Sequence, residues 1–260
     1  RNINHKDFEG YEVLIHLANI ANDPTVELNP TLSWEINVLA MMNIAESAIK
    51  AKMKKIIFSS SGSVYGIKKE KKVTEKLSLK PISVYNKTKM IAERVLLSYS
   101  KEIDIFCIRP ATVCGYSPKM RFDVSVNMLT LQSLKKKFIT IFGGKQIRPN
   151  IHIQDLVNIF EHLIIKKVKP GIYNAGFENK KIIEIAKKIK KKIPCKIIVT
   201  KSNDPRSYRQ NSDKILKTGF KKKYNIDIAI EEIKEKFEKK IIKDNLNFYN
   251  LKKMKKLKLN

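Results

Sequence analysis

The chain has 260 residues, of which 43% are apolar. That content can bury one or two hydrophobic cores, and no run approaches the ~18 consecutive apolar residues that a membrane span requires. The cysteines Cys107, Cys114 and Cys195 are odd in number and far apart, so the pattern favours neither a disulfide framework nor a zinc site. We expect a cytoplasmic protein that holds no metal.

The formal net charge of +28 raises the question of nucleic-acid binding. Lysines greatly outnumber arginines and are scattered over helix faces and turns, rather than gathered in one patch. No nucleic-acid motif occurs, and aromatic residues do not alternate with the basic runs as a base-stacking surface requires. The sequence therefore predicts no specific nucleic-acid binding, although weak attraction to anions is expected.

Hydrophobic periodicity predicts alternating strands and helices along the first part of the chain. The predicted elements are strand 12–18, helix 33–50, strand 55–60, helix 84–101 and strand 104–109. Such alternation indicates a parallel sheet with right-handed crossovers, whose ligands lie beyond the carboxyl ends of the strands. Further helices are predicted at 123–135, 154–165, 180–192 and 228–240.

The strand 55–60 ends in hydroxyl groups, and the next helix carries a tyrosine and a lysine four residues apart. Tyr85 and Lys89 therefore project from one helix face. A free phenol titrates near pH ~10, and a cation within ~4 to 6 Å lowers a pKa by roughly 1 to 3 units. A hydroxyl from Ser61 can hydrogen-bond the reacting oxygen. The three side chains predict a proton-transfer site.

Two other pairs have the same spacing, Tyr65 with Lys69 and Tyr249 with Lys253. The first lies in a turn before a charged run, and the second lies in a polar, basic tail. Tyr85 instead opens an amphipathic helix, whose apolar face continues through Ile91, Val95 and Leu96. Local context therefore favours Tyr85 as the reacting tyrosine.

An ordered set of short motifs surrounds this pair. It comprises the apolar strand Val13 to Ala18, Asn37, the serine strand, Tyr85/Lys89, Ile108-Arg109-Pro110 through Gly115, Gly143-Gly144 through Arg148, His152 to Asp155, Tyr173-Asn174-Ala175-Gly176 and Asp204-Pro205-Arg206. In this order the motifs resemble the extended short-chain dehydrogenase/reductase family, in its NAD-dependent nucleotide-sugar epimerase/dehydratase branch.

The resemblance implies an α/β fold in which a Rossmann-like parallel sheet lacks its first βα units. No G-x-x-G-x-x-G or G-x-G-x-x-G occurs in the chain, so roughly 50 to 60 residues of two βα units are expected to be missing, and cofactor affinity is expected to be reduced. The implied dinucleotide-binding domain spans 1–118 and 149–176. A smaller C-terminal α+β substrate domain spans 119–148 and 177–242, and 243–260 forms a polar, basic tail.

The resemblance also implies ligands and contacts. The cofactor is NAD, with NADP not excluded, and it is expected to contact Ala18, Asn19, Asn37, Ser59, Tyr85, Lys89, Pro110 and Val113. For Asn37, a local bend or cap is an equal alternative. The substrate is a nucleotide-diphosphate sugar, and family members often form homodimers through the tyrosine helix and its neighbour.

Planar guanidinium groups suit a diphosphate because each can engage two oxygens. Arg148 is the first candidate by its place in the Gly-Gly motif, followed by Arg206 and Arg209. Asn127 is expected to donate an amide, and Ser61 to contact the sugar. A surface salt bridge is the alternative for each arginine.

The serine strand also favours one reaction within the family. Related 4,6-dehydratases carry an acidic pair directly after the strand-end hydroxyl, whereas Gly62 and Ser63 follow Ser61 here. We therefore expect an epimerase that transiently oxidises a sugar carbon, most plausibly C4, with Tyr85 as base. The alternatives are a nucleotide-sugar 4-dehydrogenase or ketoreductase, or a catalytically inactive truncated remnant that binds nucleotide sugar or a partner.

Overall fold

A computed structural model describes residues 3–202 and 207–257. In chain order its strands are β1 Val13–His16, β2 Lys55–Ser59, β3 Asp104–Pro110, β4 Thr112–Cys114, β5 Phe138–Phe142, β6 Ile147–His152, β7 Gly171–Ala175, β8 Glu178–Lys181 and β9 Lys196–Thr200. The α-helices are α1 Asp23–Val26, α2 Pro30–Trp34, α3 Ala40–Lys50, α4 Val84–Ser98, α5 Ser125–Lys136, α6 Ile153–Ile165, α7 Ile182–Lys192, α8 Asp213–Leu216, α9 Ile226–Glu238 and α10 Asn250–Lys256.

The main sheet consists of four parallel strands in the order β1-β2-β3-β7. Alternate side chains of a strand point to opposite faces, so this sheet has two apolar sides. On one side Ile56 and Phe58 pack with Met41 of α3 and Leu96 of α4. On the other side Ile57 belongs to a cluster that also contains residues of α6 and α8, namely Ile159, Leu163 and Ile215. Burial on both faces explains the nearly unbroken apolar sequence of β2 and β3.

The remaining strands form two smaller sheets. Strand β6 pairs in parallel with β4 and antiparallel with β8, and β5 pairs in parallel with β9. Helices α5, α7 and α9 share a separate apolar cluster with β5. Among the described residues, no helix is both long and apolar enough to cross a membrane.

The structure confirms the predicted α/β class and parallel sheet, with local differences. The later helices α5, α6, α7 and α9 begin and end within two residues of their predicted bounds. Helix 33–50 instead begins at Pro30 and contains a π-helical turn, Glu35–Leu39. The short strands β4, β5, β6, β8 and β9 were not predicted from the sequence.

The π-helical turn places Asn37 between two segments. The buried Asn37 accepts a hydrogen bond from the backbone of Ile20 at 2.9 Å and donates to its carbonyl at 3.0 Å. Asn37 Nδ2 also donates to Thr88 Oγ1 of α4 at 3.3 Å. This amide therefore fixes the loop after β1 against α4, since π-helical turns reposition side chains inside helices.

A buried ion pair joins α4 to the ends of two strands. Glu93 of α4 and Arg109 of β3 each expose 2% of their side chains and form two hydrogen bonds, of 2.9 and 2.6 Å. Ser60, just after β2, donates to the same carboxylate. Arg109 also donates to the Tyr65 hydroxyl at 2.8 Å, which in turn donates to Asn174 of β7 at 2.8 Å. The network therefore ties the carboxyl ends of β2, β3 and β7 to one helix.

Between residues 244 and 257 the C-terminal tail packs against the loop before α5. Phe248 is buried against Phe122, with ring centroids 5.4 Å apart. The amide of Phe122 donates to the carbonyl of Phe248 at 2.9 Å. The few apolar residues of this lysine-rich tail thus have a partner surface in that loop.

Glu93→Gln tests the buried pair. The substitution leaves the Arg109 guanidinium buried beside a neutral group, so we expect the free energy of unfolding to fall by about 3 to 5 kcal/mol. Urea denaturation measures it. Glu231→Gln is the matched control, because Glu231 is 60% exposed and pairs with Lys192 at the surface, where loss of a pair costs about 0 to 1 kcal/mol. Equal effects of the two substitutions would contradict the assigned role of the pair.

Candidate active site

A cavity of about 820 Å³ lies at the carboxyl ends of β1, β2 and β3. Ser61, Tyr85 and Lys89 all line it. The structure therefore brings together the three residues predicted to form a proton-transfer site. A cavity of this size falls in the range that encloses a small-molecule ligand.

The start of α4 positions Tyr85. Ser83 caps the helix by accepting a hydrogen bond from the amide of Asn86 at 3.2 Å, and its hydroxyl donates to Asp23 of α1. Tyr85 follows in the first turn, so the cap sets both the start of the helix and the direction of this side chain. The half-buried phenol lies in the cavity wall.

The two competing tyrosines lie elsewhere. Tyr65 is fully buried in the ion-pair network, and burial raises the pKa of its phenol. The Tyr249 hydroxyl donates to Asp244 at 2.7 Å, and burial and this carboxylate raise its pKa. Neither tyrosine lines the cavity, which supports the choice of Tyr85.

Burial also raises the pKa of Tyr85 above its ordinary value. A hydrogen bond with Ser61 and then the positive charge of Arg121 oppose that effect, while Asp23 adds to it. The sequence argument assigned the opposing charge to Lys89. In the structure the opposing positive charge comes from Arg121, and the Ser61 hydroxyl adds to its effect. Arg121 is therefore a site residue that the sequence did not reveal.

Lys89 lies one turn after Tyr85 and is 4% exposed. Its ammonium donates to the Ser59 carbonyl at 2.7 Å and lies 4.7 Å from the centre of the Phe58 ring. Burial lowers the pKa of Lys89 to about 7, and the negative charge of Glu93 works in the opposite direction. The lysine can therefore change its charge near neutral pH.

On the side of β1, the predicted cofactor residues Asn19, Ser59, Pro110 and Val113 line the cavity. The amide nitrogen and oxygen of Asn19 are buried and have no hydrogen-bond partner within the described chain. Buried amides usually have partners, so this one is suited to a ligand. Two predicted contacts are not among the lining residues: Ala18 is exposed, and the Asn37 amide is engaged in the interior.

The predicted substrate residues divide three ways. Arg148 and Asn127 line the cavity. Asn127 also holds a loop, because it donates one N–H to the Arg121 carbonyl at 2.9 Å and accepts from the Gly115 amide at 3.1 Å. Arg209 is exposed and does not line the cavity, whereas its neighbour Tyr208 does. Successive side chains of an extended segment point to opposite sides, which explains the difference. Arg206 lies outside the described residues.

Several cavity residues were missed from the sequence. The loop between β4 and α5 contributes Lys119, Arg121 and Asp123, and α5 contributes Ser125, whose buried hydroxyl has no partner within the described chain. Leu251 of α10 also lines the cavity. No motif marks these residues; only the three-dimensional arrangement brings them to the site.

The titration of Lys89 affects stability in a defined pH window. Its folded-state pKa of about 7 lies below the ordinary lysine pKa of 10.5, so between these values the unfolded chain binds more protons than the folded chain. We expect the free energy of unfolding of wild type to rise relative to that of Lys89→Met as pH increases through this window. The difference should grow by up to about 1.4 kcal/mol per pH unit. Paired urea denaturation at several pH values measures the difference. A pH-independent difference would contradict the lowered pKa, and Lys87→Met, at an exposed position of the same helix, is the control.

Comparison with known proteins identifies the family. Residues 3–176 match the model of the NAD dependent epimerase/dehydratase family. An uncharacterized UDP-glucose epimerase of Bacillus subtilis is 35% identical over 153 residues, which are 57% of this chain and 48% of that protein. A UDP-glucose 4-epimerase of Lactobacillus helveticus is 28% identical over 250 residues, 85% of this chain and 76% of the relative.

Solved structures show the same architecture. The UDP-glucuronic acid 4-epimerase of Bacillus cereus, in complex with UDP-glucuronic acid and NAD, is 26% identical and superposes with a TM-score of 0.77 over 90% of this chain and 78% of that one. The UDP-glucose 4-epimerase of Thermotoga maritima, with UDP-glucose, has a TM-score of 0.82 at 23% identity and covers 92% and 81% of the two chains. By the extent of its family match, the chain belongs to the NAD dependent epimerase/dehydratase family.

Proposed function

We propose that the chain acts as an NAD-dependent nucleotide-sugar epimerase, by transient oxidation of a sugar carbon. The carbon is C4, by analogy with relatives named as 4-epimerases. The observation that carries the proposal is the convergence of Ser61, Tyr85 and Lys89 on one cavity. The order of these residues matches the family, and the Ser61 hydroxyl lies close enough to Tyr85 to lower the pKa of its phenol.

The roles follow from the contacts. Tyr85 takes the proton of the sugar hydroxyl, and Ser61 hydrogen-bonds the same oxygen. Lys89 stabilises the charged phenolate when it is itself protonated, which requires a pH near or below its pKa of about 7 or a ligand that favours the ammonium. NAD, when bound, supplies the acceptor and the later donor of a hydride. Epimerisation would be complete when that hydride returned to the opposite face of the sugar carbon and Tyr85 gave its proton back to the oxygen.

The residues around the cavity fit such a cofactor. Asn19 offers a donor and an acceptor that have no partner within the described chain, and Ser59, Pro110 and Val113 continue the same wall at the ends of the strands. Ligands of parallel sheets bind at this edge. We assign these four residues to cofactor binding, with Tyr85 and Lys89.

The substrate class follows from charge. Lys89, Lys119, Arg121 and Arg148 line the cavity against two carboxylates, Asp23 and Asp123. This excess of positive charge suits the diphosphate of a nucleotide sugar. The relatives named for UDP-sugars support uridine as the nucleoside.

Two alternatives make different predictions. A 4-dehydrogenase or ketoreductase would release the oxidised sugar, and a GDP-6-deoxy-D-talose 4-dehydrogenase of Aggregatibacter actinomycetemcomitans is 27% identical over 63% of this chain and 55% of its own length. A catalytically inactive remnant would bind the nucleotide sugar without turnover. The placement of Tyr85 beside Ser61 favours catalysis over the remnant, and product analysis separates the two enzymatic reactions.

The domain boundaries are also a proposal. We assign 1–118 and 149–176 to the dinucleotide-binding domain and 119–148 with 177–242 to the substrate domain. Strand β7 supports the first assignment because it completes the main sheet beside β3. The shared apolar cluster of α5, α7 and α9 supports the second.

Tyr85→Phe tests the catalytic proposal. Removal of the phenolic hydroxyl eliminates the base, so we expect turnover of a UDP-sugar to fall by about 10² to 10⁴-fold. The measurement monitors nicotinamide absorbance and the sugar product in the presence of NAD, across a panel of UDP-, GDP- and dTDP-sugars. Tyr11→Phe, at a position 67% exposed, should retain full turnover. Equal activity of Tyr85→Phe and wild type would refute the assignment, and binding without any turnover by wild type would favour the remnant.

We also propose a homodimer through α3 and α4. Leu96 and Val95 pack into the core, but Leu39 and Met42, at the start of α3, remain 61% and 48% exposed. An apolar surface of this kind is suited to a second copy. Sedimentation velocity should show a dimer that Met42→Glu weakens and that Ile165→Glu, on α6, does not. A monomeric wild type would exclude the proposal.

A further inference from the structure

The C-terminal segment from Leu246 to Leu257, hereafter the tail segment, is attached to the loop that precedes α5. Phe248 packs edge to face against Phe122 in a cluster that also contains Met120 and Ile242. Lys119 donates through its ammonium to the carbonyl of Asn247. These contacts, together with the backbone bond between Phe122 and Phe248, fix the two segments side by side.

From this attachment the tail segment continues to α1, whose residues Asp23 and Pro24 also line the cavity. Helix α10 contacts α1, which follows β1, and Leu251 lines the cavity itself. The tail segment thus connects the loop before α5 with a helix of the N-terminal part of the chain. It forms one wall of the space that contains Tyr85.

The same segment holds a cation of the cavity in place. Asp123 accepts from the amide of Asn250 at 3.2 Å through one oxygen and from Arg121 Nε at 2.7 Å through the other. Arg121 lines the cavity and is close enough to Tyr85 to influence its titration. A carboxylate held on both sides orients the guanidinium, whose remaining N–H groups can engage a ligand.

The charge at this wall is positive. Lys119 and Arg121 line the cavity. Burial lowers the pKa of Lys119, and the positive charge of Lys253 on α10 lowers it further. Asp123 offsets one of these three charges. An anionic ligand would relieve the repulsion between the remaining cations.

We propose that the tail segment is part of the substrate-binding site, and that it holds Arg121 and Lys119 for a phosphate group of the ligand. The inference rests on the proposed function for the identity of the ligand, a nucleoside diphosphate sugar. It adds a positioning role for Asn250 and Asp123 and a wall residue, Leu251, to the site.

Two variants test the proposal. Truncation after Tyr249 removes α10 but keeps Phe248 and its cluster. Asn250→Pro keeps α10 but removes the N–H that Asp123 accepts, together with the Asn250 side chain, and proline is tolerated at the first position of a helix. Truncation after Leu257 is the matched control. Thermal denaturation confirms that each variant is folded.

Isothermal titration calorimetry with UDP, uridine, UDP-glucuronate and inorganic pyrophosphate gives the readout. We expect truncation after Tyr249 to lower the affinity for UDP by about tenfold and Asn250→Pro to lower it less. Neither variant should change the affinity for uridine. Loss of affinity for UDP-glucuronate alone would place a sugar carboxylate at Arg121 and overturn the phosphate assignment. Unchanged affinities in both variants would overturn the role of the tail segment.

The two proposals can fail separately. If wild type binds pyrophosphate in a tail-dependent manner but no nucleotide, the anion site stands and the substrate class is wrong. If wild type binds UDP and the folded truncated variant binds it equally well, the substrate class stands and the tail segment has no role in binding. If wild type binds neither pyrophosphate nor any nucleotide tested, both are wrong.

Discussion

The buried pair of Glu93 and Arg109 is the interaction on which the geometry of the site depends. Two charges that are almost completely removed from water are tolerated only when their hydrogen-bonding groups are satisfied. Here Ser60, Tyr65 and Asn174 complete that requirement. Because Ser60 follows β2, Arg109 belongs to β3 and Asn174 belongs to β7, the complete network forms only when these strands and α4 hold their observed positions. Correct assembly of the sheet and orientation of the tyrosine helix are therefore coupled.

That coupling explains the environment of Lys89. It lies one turn from Glu93 on the same helix, and its ammonium reaches a backbone carbonyl at the end of β2. Arg109 largely neutralises Glu93, so the carboxylate offsets only part of the cost of burying the lysine. A fully compensated lysine would keep its charge at all physiological pH values. Because the pKa of Lys89 is about 7, modest changes in its surroundings, such as a ligand at the sheet edge, alter its charge.

The parts of the site that could be predicted from the sequence depend on short-range patterns. The apolar run of β2 ending in serines and the spacing of Tyr85 and Lys89 are visible within a few residues, and the structure places them as predicted. Arg121 could not be found this way. Its orientation depends on Asp123 and on Asn250, 127 residues further along the chain. The contact of Asn127 with the Arg121 carbonyl could not be found either, since the path of that loop has no sequence signature.

The distribution of charge around the cavity links these observations. In the protein alone, burial favours the neutral phenol of Tyr85 and the neutral amine of Lys89. Both effects oppose a phenolate stabilised by an ammonium, while Arg121 favours the phenolate. Arg121 belongs to the loop between β4 and α5, whereas Tyr85 belongs to the helix that packs on the main sheet. Arg121 can therefore favour the phenolate of Tyr85 only when the loop, the helix and the tail segment hold their observed positions. Residues remote from the chemistry thus influence the protonation of the base.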